Sequence, residues 1–167
     1  MKLRRRPSQR PIEERGFTLI ELLVVMAILG ILAAAILPLG QTLIVAQKER
    51  ELRLALDEIR TALDAYQQAA TRGAIVLAAG ESGYPPTLQA LVEGIPDARS
   101  GANGRRLYFL RRVPRDPMAD PALPAERTWR LRSYASPPDK PEPGVDVYDV
   151  RSASEALSLD GTPYAQW

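Results

Sequence analysis

The sequence predicts an α+β fold: one long N-terminal helix, its first half transmembrane and its second half amphipathic, packed against a small antiparallel sheet with a loop-rich C-terminus. Three observations predict it. Residues 17–37 read FTLIELLVVMAILGILAAAIL, an apolar run with a single charge at Glu21. Leu52, Leu56, Ile59, Leu63 and Tyr66 then recur at i, i+3 and i+4, the spacing of one helix face. Near the C-terminus Trp129 and Leu131, and again Val145 and Val147, alternate with polar residues as strands do.

The first element begins with a basic leader, in which Lys2, Arg4, Arg5, Arg6, Arg10 and Arg15 outnumber Glu13 and Glu14. About twenty apolar residues at 1.5 Å rise cross the hydrocarbon core of a bilayer. Lys and Arg beside a span stay on the cytoplasmic side, so the rest of the chain faces out. A secretory signal peptide has an apolar core of only about 7–15 residues before its cleavage site. Here Ala33, Ala34 and Ala35 resemble such a site, but Ile36, Leu37 and Leu39 continue the apolar run. A plain anchor accounts for the length and the basic flank and leaves Glu21 without a reason. A carboxylate inside a span is expensive, which marks it as functional.

Pro38 interrupts the helical run, with Gly30 and Gly40 as weak points on either side. Proline removes one backbone hydrogen bond and crowds the carbonyl four residues back. Two readings stand: a kink at the membrane exit, or a segment that stretches when subunits pack. From Gln41 the helix continues to about Ala70. Lys48, Glu49, Arg50, Arg53, Asp57, Arg60 and Asp64 form its other face, read as a solvated face with Arg53–Asp57 and Arg60–Asp64 as i,i+4 pairs. Arg72-Gly73 is the expected stop.

Residues 74–79 read equally as a helix extension or a loop. Thr87 caps a short helix whose apolar face is Leu88, Leu91 and Val92, ending at Gly94. Residues 100–104 form a loop and residues 107–110 a short strand or extended piece. Residues 120–126 hold two prolines and no periodicity, so they form a loop. The strands at Trp129 and at residues 145–150 flank a proline-rich connection and most simply pair antiparallel. The tail from Arg151 to Trp167 is irregular.

Composition removes whole classes of function. There is no cysteine and no histidine, so no disulfide, His-based triad or thiolate or imidazole metal site exists. The formal charge of +2 misleads, because the leader holds six of the 22 basic and two of the 20 acidic side chains. The side chains after Gly16 sum to −2, which removes the case for nucleic-acid binding. Asp146 and Asp149 are an acid pair, but on a strand of a solvated hairpin they make no catalytic site. No phosphate loop or nucleophile elbow occurs, and an enzyme is not expected.

Arg15-Gly16-Phe17-Thr18-Leu19-Ile20-Glu21, with a basic leader before and an apolar span after, resembles the processing site of the type IV pilin-like family. The resemblance implies a cut by a prepilin peptidase between Gly16 and Phe17, then N-methylation of Phe17. Cleavage leaves an ammonium in apolar surroundings, where a charge must be paired. Glu21 of a neighbouring subunit is the implied partner, and Pro38 stands where the family often has a proline.

The soluble part is similar, more loosely, to the major (G-type) pseudopilin of the type II secretion system. Val113-Pro114-Arg115-Asp116-Pro117 carries that likeness, standing where the family has a leucine-proline-lysine-aspartate-proline segment. It implies three segments: a cleaved leader (1–16), a transmembrane and assembly segment (17–40) and a periplasmic pilin-like domain (41–167). The chain would sit singly in the bacterial inner membrane, leader cytoplasmic. It would form a helical homopolymer, with minor pseudopilins, the prepilin peptidase, the inner-membrane secretion platform and membrane lipid as partners, and no nucleic acid. A type IV pilin or minor pseudopilin is the alternative within the class, and a membrane-anchored periplasmic enzyme or binding module the alternative outside it.

The tail departs from that family, whose C-terminal loop usually binds calcium. Here only Ser152, Glu155 and Asp160 offer side-chain oxygens, and calcium takes six to eight. The expectation is a loop held by Leu157, Leu159, Tyr164 and Trp167 with no cofactor, calcium held by Ser152, Glu155 and Asp160 being the alternative.

Overall fold

A computed structural model describes residues 16–101 and 104–167, and of residues 35–40 the backbone alone. The basic leader up to Arg15 lies outside the described residues, as do Ala102 and Asn103 of the expected loop. The chain divides into two compact units, Met1–Gln41 and Thr42–Trp167.

The fold is α+β. Helix α1 runs from Leu19 to Thr71, and a short helix α2 from Leu88 to Glu93. Pro38 does not end α1, whose backbone stays helical through residues 31–50. One proline costs one hydrogen bond, and the apolar and alanine-rich turns before it are good helix formers. In the first unit every described side chain from Phe17 to Ala34 is exposed.

In the second unit α1 buries one stripe. Leu52 and Ile59 are fully buried, and Leu56, Leu63, Tyr66 and Ala70 extend the row. Burying each large apolar side chain stabilises by about 1.5–3 kcal/mol. The stripe packs with Leu88, Leu91, Leu110, Trp129, Val147, Val150 and Tyr164 into one core. The helix stops as expected. Gly73 N–H donates to the Ala70 carbonyl at 3.0 Å and Ala74 N–H to the Ala69 carbonyl at 2.9 Å. Gly73 has φ +71°, the left-handed turn that this double closure requires and that glycine adopts without penalty. The undecided residues 74–79 leave the helix: Ala74 and Ile75 are buried, and Val76 points out. Thr87 caps α2 as expected, its Oγ1 accepting from Ala90 N–H at 3.3 Å.

The sheet differs from expectation. Two separate two-stranded antiparallel sheets form. Strand β1, Ile95–Pro96, pairs with β2, Arg106–Leu107, of which Leu107 falls within the expected strand or extended piece. Residues 108–110 do not extend β2, because Phe109 and Leu110 N–H both donate to the Leu91 carbonyl at 3.0 Å. Residues 125–128 close in a 3-10 turn, of which residues 125 and 126 belong to the expected loop. Strand β3, Trp129–Arg132, pairs antiparallel with β4, Asp149–Ser152, Trp129 opposite Ser152.

The second strand was expected at residues 145–150 and lies further along. Val145 is 88% exposed while Val147 is 1% exposed. Residues 145–147 are held elsewhere: Val147 N–H donates to the Pro85 carbonyl at 2.8 Å. Asp146 Oδ1 accepts from Ser133 Oγ at 2.7 Å and from Tyr134 N–H at 2.8 Å. Asp146 is therefore a buried staple between loops. Burial raises its pKa, but the hydrogen bonds from Ser82, Ser133 and Tyr134 outweigh that and hold it below the usual carboxylate range.

Candidate processing and assembly site

Gly16, Phe17 and Thr18 precede the first turn of α1. Thr18 Oγ1 accepts from Glu21 N–H at 3.3 Å, and the Thr18 carbonyl accepts from Leu22 N–H at 3.1 Å. Thr18 is thus the N-cap and Glu21 the third helical residue, the spacing of a capping box. Thr18 is a letter of the motif, and threonine three before glutamate is also a helix-start signal in its own right. The helix start also favours a carboxylate at this turn, by about 0.3–1 kcal/mol at an exposed site. This gives Glu21 a local role beside the assembly role inferred for it.

Phe17 is 81% exposed, so no part of the described chain covers it. A Cβ added at Gly16 meets no atom within 4 Å, and Gly16 is not in the left-handed region. Among the described residues, nothing in the packing therefore requires glycine there. Pro38 lies within α1, and its side chain is outside the described residues.

The three candidate calcium oxygens belong to different hydrogen-bond systems. Ser152 Oγ donates to Asp116 Oδ2 at 2.6 Å. Glu155 forms an exposed ion pair with Arg130 at 2.9 Å. Asp160 Oδ1 accepts from Ser158 Oγ and from Thr162 N–H. These hydrogen bonds hold Asp160 below the usual carboxylate range. Among the described residues no group of three or more acidic side chains is placed to hold a metal.

What holds the tail is the face of α1 that was expected to be solvated. Glu49 is 7% exposed. Its Oε1 accepts from Leu159 N–H at 2.7 Å and from Tyr164 OH at 3.0 Å. Burial, and then the Glu49 carboxylate, push the Tyr164 phenol up to about 12. Arg60 Nε pairs with Asp149 Oδ1 at 2.9 Å rather than with Asp64, and its Nη2 donates to the Val150 and Trp167 carbonyls. The Arg53 guanidinium lies 4.4 Å from the Trp167 ring centre instead of pairing with Asp57. Tyr164 is buried and Trp167 packs on the core as expected, whereas Leu157 and Leu159 are exposed. Asp149, read as solvated, is in the Arg60 cluster.

The segment 113–117 is a second anchor. Asp116 is fully buried; its Oδ1 accepts from Met118 N–H at 2.7 Å beside the Ser152 bond, and Trp129 Nε1 donates to the Pro114 carbonyl at 2.8 Å.

Residues 13–37 match the family described as the prokaryotic N-terminal methylation motif. The chain thus carries a type IV pilin-like prepilin signal that includes Gly16, Phe17 and Glu21. That signal points to a structural subunit and to processing by a prepilin peptidase. Comparison with curated proteins and with solved structures finds no match. Among the described residues no helix is long and apolar enough to cross a membrane; the apolar part of α1 with described side chains ends at Ala34.

Proposed function

We propose that this chain is a structural subunit of a type II secretion pseudopilus, cleaved between Gly16 and Phe17 and polymerised from the bacterial inner membrane to drive protein export. The observation that carries the reading is the methylation motif over residues 13–37, followed by an exposed apolar helix. Such a helix is stable only against lipid or against apolar faces of other subunits. Residues 16–18 precede the helix and are exposed, which suits a peptidase that must grip an extended backbone. Cutting there places an ammonium on Phe17 at the mouth of an apolar bundle. In that setting the Glu21 carboxylate of the next subunit neutralises the ammonium and sets the axial register. The pseudopilus assignment within the pilin-like class rests on the likeness of residues 113–117.

Intact mass of the membrane-extracted protein, made beside its own peptidase, tests the reading. The expected mass begins at Phe17 and includes one methyl group. A mass retaining Met1 to Gly16 rejects processing, and Gly16→Ala should produce that unprocessed mass. Filaments bearing the mature chain, seen by microscopy only when the secretion machinery is present, separate a pseudopilus from a surface pilus.

A further inference from the structure

One face of the β3–β4 ladder collects arginines. Arg130 stands directly opposite Arg151, and Arg132 opposite Asp149. Like charges directly opposite on a ladder destabilise it, so this arrangement is not explained by strand pairing. Glu155 neutralises Arg130, and Asp149 is bound to Arg60. Arg132 and Arg151 form no ion pair among the described residues. Their remaining bonds are long: Arg132 Nη2 to the Ser136 carbonyl at 3.3 Å and Arg151 Nη2 to the Pro141 carbonyl at 3.4 Å. The Nε of each is buried without an acceptor. A buried donor left unsatisfied is costly, and for a charged group more so.

Both arginines line one cavity of about 440 Å³, together with Arg60, Asp149 and Trp167. Asp139 also borders it. The volume is that of a small-molecule site. Guanidinium forks match the oxygens of carboxylate and phosphate, each able to accept two parallel bonds.

We propose that this cavity binds a small oxyanion, a phosphate or small carboxylate, between Arg132 and Arg151. The ligand accepts from the outer nitrogens of the two guanidiniums and relieves the Arg130–Arg151 repulsion. Binding adds a tie between β4 and the loop at Pro141, and stiffens the face of the hairpin. The same chemistry is carried by a free anion and by a phospholipid headgroup.

The full chain, extracted in a neutral detergent, is titrated with inorganic phosphate, with citrate and with a short-chain phosphatidic acid. The readouts are the thermal midpoint and tryptophan fluorescence, since Trp167 lines the cavity. A saturable change beyond that of sodium chloride at matched ionic strength is expected. Preference for free phosphate or citrate names a soluble ligand, and preference for phosphatidic acid names the headgroup; either supports the site. Arg132→Gln and Arg151→Gln should each weaken binding about tenfold or more. Arg132→Lys and Arg151→Lys, which keep the charge and lose the fork, should fall between. Arg112→Gln, away from the cavity, should bind as the unaltered chain does. The same response in chloride, or a response that survives both glutamine variants, overturns the proposal.

Discussion

The two parts of α1 are equally apolar in places and meet opposite fates. Between Leu19 and Ala34, leucine, isoleucine and valine point outward on every side. Between Leu52 and Ala70 the same residue types, Leu54 apart, sit on one stripe and are buried, while the opposite side carries charge. A helix apolar all round has no polar side to turn to water and needs an apolar partner outside the chain. A striped helix finds its partner within the chain. The difference teaches that a substitution in the first part acts on what the chain joins, and one in the second part on whether the chain folds.

Glu21→Leu tests the first half of that statement most severely. It should leave the thermal midpoint of the second unit unchanged and keep membrane level and cleavage normal. Unpairing a buried charge costs on the order of 3–5 kcal/mol, here at every subunit joint. Filaments should therefore vanish in cross-linking and microscopy, and normal filaments at normal levels would refute the pairing. Failure of insertion or cleavage would instead assign Glu21 to the helix start that Thr18 caps.

Ile59→Ala is the converse lesion. A fully buried isoleucine truncated to alanine costs about 2–5 kcal/mol. Its chemical unfolding midpoint should drop accordingly, whereas Leu29→Ala, on the outward-facing part, should leave it within about 0.5 kcal/mol. Equal losses would erase the contrast between the two parts.

Glu49 sharpens the contrast inside the second part, because it lies on the charged side and yet is buried. Glu49→Ala leaves Leu159 N–H and Tyr164 OH without their acceptor, at a cost of about 1–3 kcal/mol. The tail should become protease-sensitive before the rest of the unit. The same contact has a pH signature. The Tyr164 pKa is raised from 10.0 to about 12, so the folded state holds the phenolic proton more tightly than the unfolded state. That contribution is complete below pH 10 and is lost as pH rises towards about 12. Denaturant unfolding across this window should flatten in Tyr164→Phe; an unchanged slope would mean that another group titrates.

The smallest effect is expected from calcium. We propose that it contributes little here, since Ser152, Glu155 and Asp160 are engaged in separate bonds. Thermal midpoints in calcium and in chelator should coincide. A rise of many degrees that Asp160→Ala abolishes would reverse this reading of the tail.

Local signals were legible where a residue's role is set by its chain neighbours. The core stripe from Leu52 to Tyr66, the Gly73 stop and the Thr87 cap all depend on spacing of four residues or fewer, and all stand as read. The motif at Gly16, Phe17 and Glu21 is likewise written in consecutive residues. Tertiary structure alone decided the partners of the charged face. Nothing near Glu49 in sequence shows that Tyr164 and Leu159, more than a hundred residues on, will donate to one of its oxygens. Arg60 had an acid four residues away and took Asp149 instead, because there the carboxylate comes with two backbone carbonyls that satisfy the rest of the fork. The start of β4 was decided in the same way. Val145 and Val147 alternate as a strand should, but Asp146 and Val147 are bonded by loops from elsewhere in the chain, and the ladder can begin only beyond them. Spacing determines which face a side chain occupies; only the folded chain determines which distant donor or acceptor arrives to meet it.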